Sequence, residues 1–98
     1  MNPKLFEIMK KELELLKILL NLLEKQYNLL TEVEKDIVII NKVAEEIDEV
    51  IKNIASLEIE KKNILQGKSL LKVVGSSNNK EAQEIHRETL KLLDDIAM

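Results

Sequence analysis

Gly67-Lys68-Ser69 repeats the last three residues of a phosphate-cradling loop, where backbone N–H groups and a lysine hold phosphate oxygens. Such a loop needs a glycine five positions earlier, where this chain has Lys62, and a preceding strand, which the pattern does not supply. His86 is the single histidine and no Glu-x-x-His pair accompanies it, so the helical carboxylate–histidine metal motif is missing. Glu45, Glu46, Asp48 and Glu49 are oxygen-rich, but without a second ligand-bearing helix they read as a solvated acidic face. Arg87 is the only arginine, whereas a small helical enzyme gripping a dicarboxylate needs a dense cage of cations. These groupings predict a chain that is not an enzyme and uses no metal and no cofactor. The pattern of apolar residues says more than the reactive ones.

Composition narrows the classes further. At 98 residues the chain is one domain, able to bury about two-thirds of its unfolded surface. Charged residues make up 34% and hydrophobic residues 45%, which is globular, and two glycines and one proline leave little for turns. Phe6 and Tyr27 are the only aromatics and the net charge is −3, so neither base stacking nor phosphate attraction favours a nucleic-acid partner. Lys61, Lys62, Lys68 and Lys72 cluster, but they read as a solvated helix face. The absence of cysteine suits the cytoplasm. Charges interrupt the first residues, so no targeting segment is expected. The most apolar run, Leu13 to Leu23, contains Glu14, Lys17 and Asn21 and falls short of the roughly 20 apolar residues of a membrane span.

The elements follow from spacing. Asn2 before Pro3 reads as a cap and first helical residue, opening a helix over about 3–34. In it Met9, Leu13, Leu16, Leu20, Leu23, Tyr27 and Leu30 share one face, and Leu15, Ile18, Leu19, Leu22 and Leu29 widen the stripe enough for more than one neighbour. Glu7 with Lys11 and Lys10 with Glu14 mark its solvated side. That rhythm would next need apolar residues at Glu34, Asn41 and Asp48. Instead a new register starts at Ile37 and continues through Ile40, Ala44, Ile47, Ile51 and Ile54, with Val43, Val50, Leu57 and Ile64 beside it, so the chain is expected to reverse near 31–35. A single helix of about 60 residues, roughly 90 Å long, is the alternative. A second helix over about 36–66, capped by Asp36 and closed by Gly67, completes the hairpin, with Asp48–Lys52 and Glu58–Lys62 as supporting pairs and Lys61 and Lys62 set against the dipole of its last turns. Residues 67–74 suit either an extra helical turn or extended chain. GSSNN at 75–79 is the clearest loop, and Asn78 with Glu81 resembles a capping box before a third helix over about 79–97. The fold class is therefore all-α: a long antiparallel, coiled-coil-like hairpin with a shorter third amphipathic helix.

The run LELLKILLNLLEKQYNLL, a short break containing Asp36, and a second helix ending IASLEIEKKNIL together resemble flagellar type III export chaperones of the FlgN type. The resemblance rests on a Leu-Leu-Glu element (Leu22, Leu23, Glu24) before a polar turn, then Leu57 and Glu58 followed by the basic Lys61. It covers about 13–65. It implies a cytoplasmic chaperone that binds C-terminal helical segments of hook-associated proteins and keeps them unassembled. Helix-in-groove recognition fits that role, and Ile85, Leu92 and Ile96 of the third helix, with Leu15, Leu22 and Leu29 of the first, are the expected client contacts. A self-associating coiled coil, a homodimer without a client, uses the same kind of stripe.

Overall fold

Asn2 Oδ1 accepts hydrogen bonds from the backbone N–H groups of Lys4 (2.8 Å) and Leu5 (3.3 Å), and Pro3 takes the first helical position, where its missing N–H is no loss. From there α1 spans Pro3–Thr31. The computed structural model describes residues 1–97 and continues with α2 (Ile37–Leu65), α3 (Leu70–Gly75) and α4 (Lys80–Ala97), with no strand among the described residues. The chain is all-α, and α1 and α2 form the expected antiparallel hairpin rather than one long rod. No helix among the described residues is long and apolar enough to cross a membrane.

The turn between the long helices needs neither glycine nor proline. Helix α1 stops at Thr31, three residues short of the expected 34, because residues 32–36 are spent on the reversal. Asp36 then caps α2 by accepting from Val38 N (3.0 Å) and Ile39 N (3.3 Å). At its far end α2 closes through two left-handed residues, Gln66 (φ 50) and Gly67 (φ 85), where glycine alone was expected. Residues 67–74, which sequence left open, include the helical turn α3. The cap of α4 lies one residue later than the Asn78–Glu81 spacing suggests: Asn79 Oδ1 accepts from Ala82 N at 3.1 Å.

Each long helix has 29 residues, about 43 Å at 1.5 Å per residue, in a molecule 52 Å long. Helix α4, with 18 residues, lies along α1 and covers only part of it. It runs parallel to α1: Ala82 and Ile85 pack with Leu5, Met9 and Leu13, Lys17 reaches Glu88 (3.9 Å), and Ile96 meets Leu23 and Tyr27. Helix α3 turns the chain across the open end of the hairpin and seats Val74 in the same core, with Phe6, Ile64, Leu65, Leu70, Val73 and Leu92 around it. The core is thus concentrated around the first half of α1.

Helix α1 has the two neighbours its wide stripe predicts, α2 and α4. On α2 the expected register is half inside, with Ile40 buried and Ile47 and Ile54 half-buried, and the row beside it joins the contact. Val43 is buried and Val50 and Leu57 are half-buried, whereas Ile37, Ala44 and Ile51 face solvent. The reason is that α2 rests on one long helix only, so a narrow stripe suffices. The hairpin tip extends past α4, leaving Leu30, Val33, Ile37, Val38 and Ile39 exposed. Surface pairs on α1 close at three residues rather than the expected four, Glu7–Lys10 at 3.0 Å and Glu14–Lys17 at 3.7 Å.

Candidate functional site

Helices α2 and α4 both lie on α1 without comparable backbone packing against each other. The gap holds a cavity of about 150 Å³. Met9, Glu12 and Leu16 of α1 form its floor, Ile54, Glu58 and Lys61 of α2 one wall, and His86, Thr89, Leu90 and Leu93 of α4 the other, with Leu70 at one end. Leu90 and Leu93 are 51% and 45% exposed, so the α4 rim is apolar and open to water.

The floor carries an ionic cluster inside an otherwise apolar core. The Glu12 side chain is 6% exposed. Lys61 Nζ donates to Glu12 Oε2 at 3.1 Å and to Glu58 Oε1 at 2.6 Å, bridging α1 and α2. Glu12 Oε1 has no hydrogen-bond donor. A buried carboxylate oxygen without a donor is costly, and one proton resolves it: protonated Glu12 becomes a donor and Glu58 its acceptor. Burial, and then the hydrogen bond with Glu58, push the Glu12 carboxyl up to about 7, against the opposing pull of Lys61. The same hydrogen bond holds the Glu58 carboxyl below its ordinary value, with burial opposing and Lys61 assisting. Burial works to lower the Lys61 ammonium, but its bonds to Glu58 and Glu12 outweigh that and raise it. The cluster is neutral with Glu12 protonated and carries one net negative charge without that proton.

The structure does not bring the six expected client contacts into one groove. Ile85 is buried against α1, and Leu92 and Ile96 are half-buried on that same side of α4, so the apolar face of α4 is consumed inside the molecule. Leu15 is half-buried in a different groove, between α1 and α2, beside Leu57, Asn53 and Ser56. Leu22 and Leu29, half-buried, follow Leu15 at steps of seven along α1. The groove between α2 and α4 instead takes the α4 residues beside the expected ones, His86, Thr89, Leu90 and Leu93.

Of the reactive groupings, His86 lines this cavity and is half-buried. Arg87 faces solvent and pairs with Glu84 at 2.7 Å. Gly67, Lys68 and Ser69 lie in the link between α2 and α3, beside Lys72. Among the described residues no group of three or more histidine or carboxylate side chains is placed to hold a metal ion. Glu12 escaped sequence reading because Lys10, Lys11 and Glu14 surround it and make the segment look solvated. The signal was present: Glu12 stands seven residues after Leu5, four before Leu16 and seven before Leu19, in the middle of a buried face. Lys61, expected on a solvated face opposing the helix dipole, stands seven residues after Ile54 and instead turns inward, its side chain 13% exposed.

Compared with known proteins, the chain matches no family model, no curated protein and no solved structure.

Proposed function

We propose that the chain is a cytoplasmic export chaperone that holds an amphipathic helical segment of a flagellar hook-associated protein between α2 and α4. The observation that carries this is the gap itself: two helices set side by side on α1, not packed together, with Leu90 and Leu93 exposed along the opening. A fourth helix laid there would complete a four-helix arrangement and cover apolar surface that water now touches. The resemblance over about 13–65 supplies the class of client, and an elongated hairpin with one short covering helix suits a protein whose partner provides the remaining packing.

The test is calorimetric titration of the full chain with purified C-terminal helical segments of hook-associated proteins. Binding in the micromolar range or tighter is expected, and the double variant Leu90→Glu, Leu93→Glu should weaken it at least about tenfold. Both positions are exposed, so the variant keeps its circular dichroism. No binding, or equal binding by the variant, would overturn the proposal.

A second reading has its own observation. Leu30, Val33, Ile37, Val38 and Ile39 crowd the hairpin tip beyond the reach of α4, and a second copy meeting the first tip to tip would bury them. Sedimentation equilibrium distinguishes it: a tight dimer lost on Leu30→Lys, Val38→Lys favours self-association, and a monomer across the micromolar range removes it.

A further inference from the structure

Glu12 Oε1 is a buried acceptor at the floor of the groove, without a donor, beneath an apolar rim. We propose that the helix bound between α2 and α4 carries one cationic side chain, a lysine or an arginine, which enters the cavity and donates to Glu12 Oε1. This rests on the groove being a helix site, and it specifies what that helix must carry.

Three observations converge on a cation. With Glu12 ionised, two carboxylates face one ammonium, so the cluster lacks one positive charge. Lys61 occupies Oε2 of Glu12 and Oε1 of Glu58, which leaves Glu12 Oε1 as the buried oxygen of the cluster without a donor. The cavity of about 150 Å³ has room for about five waters at roughly 30 Å³ each, a space that one long side chain fills. Its walls are mostly apolar, which suits the methylene stem of lysine or arginine with the charged head at the floor. A free metal ion fits poorly, since divalent cations need several oxygen ligands and Lys61 already stands among them. The exposed leucines of the rim favour a cation delivered on an apolar helix face.

The titratable side chains around the cavity with Glu12 are Glu58 and Lys61 from α2 and His86 from α4; Lys62 acts from farther out through Glu58. On α1 the cavity residues beside it, Met9 and Leu16, are uncharged. Insertion of a cation exchanges it for the proton on Glu12, so binding releases a proton and strengthens as pH rises through about 7.

The experiment uses synthetic amphipathic peptides of roughly 18 residues, long enough for several helical turns. They share one leucine face and carry arginine or norleucine at each of four successive central positions in turn. Calorimetry at about pH 8, with Glu12 ionised, should show one arginine register binding wild type about tenfold tighter than its norleucine counterpart. In Glu12→Gln, which keeps the shape and hydrogen bonding of the protonated carboxyl, that preference should fall to within about twofold. In Arg87→Gln, which faces solvent outside the groove, it should persist. Near pH 7, buffers of different ionisation enthalpy should register proton release for the arginine peptide only. Equal affinities for both peptides, or an arginine preference that survives in Glu12→Gln, would overturn the cation site while leaving the groove in place. No peptide binding at all would remove both.

Discussion

Replacing Glu12 by Gln should make the protein more stable at neutral and alkaline pH and leave it nearly unchanged in mild acid. Folding moves the Glu12 carboxyl from its ordinary 4.5 to about 7, so the native state holds a proton that the unfolded chain has released. A group with a raised folded value stabilises fully below 4.5 and loses that contribution as pH climbs through 7. At about 1.4 kcal/mol per tenfold in proton affinity, the loss amounts to roughly 3 kcal/mol. Glutamine supplies an N–H to Glu58 and a carbonyl to Lys61 at every pH, so it removes the slope. The other members of the cluster titrate outside this window. Glu58, held low, contributes above 4.5 and loses its contribution as pH falls further, and Lys61, raised, contributes below 10.5 and loses it as pH rises beyond its folded value. Urea unfolding followed by far-ultraviolet circular dichroism at steps between about pH 5 and 8 reads the difference directly. Wild type should weaken across that range while the variant holds. Parallel curves for the two proteins would refute a buried proton at Glu12.

Lys61→Met strips the bridge from two carboxylates and should cost about 3 kcal/mol above pH 7, with a smaller loss near pH 5, where protonated Glu12 bonds Glu58 directly; the same urea series measures both. Asn79→Ala should cost about 1 kcal/mol through the lost cap of α4, whereas Asn78→Ala stays within about 0.5 kcal/mol, a contrast that thermal melts resolve. Gln66→Gly should stabilise by about 0.5–1 kcal/mol, because Gln66 sits at φ 50, where a β-carbon is strained, as a shift of the urea midpoint would show.

The hairpin was legible because its signal is a phase change: apolar residues that serve α1 run out at Leu30, and a new register begins at Ile37. The caps at Asn2 and Asp36 were legible because short polar side chains there have one economical use. The direction of α4, and how far the contact of α2 leans to its flanking row, were not. Both depend on how far an 18-residue helix reaches along a 29-residue one, and periodicity carries no information about which neighbour covers which flank. Ile85, Leu92 and Ile96 are apolar whether they meet a client or α1, so the pattern alone could not place them on the inside. Leu90 and Leu93, on the edge of the same stripe, proved to be the exposed pair.

The ionic cluster poses a question that stability does not answer. Buried ion pairs are commonly matched or exceeded by well-packed apolar residues of similar volume, so Glu12 and Lys61 are a poor choice for holding a small helical domain together. In this core the pair leaves one oxygen without a donor, keeps a cavity open beside it and carries a proton that neutral pH partly removes. Each of these features weakens the chain by itself. On the proposed reading each becomes useful when a fourth helix arrives: the cavity is room for a side chain, the oxygen is its acceptor, and the proton is what it displaces. An apolar groove accepts almost any amphipathic helix of the right width, whereas an acidic floor beneath it penalises those that leave Glu12 unpaired. If the proposed groove is occupied in this way, the stability given up at Glu12 is exchanged for a means of telling one partner helix from another.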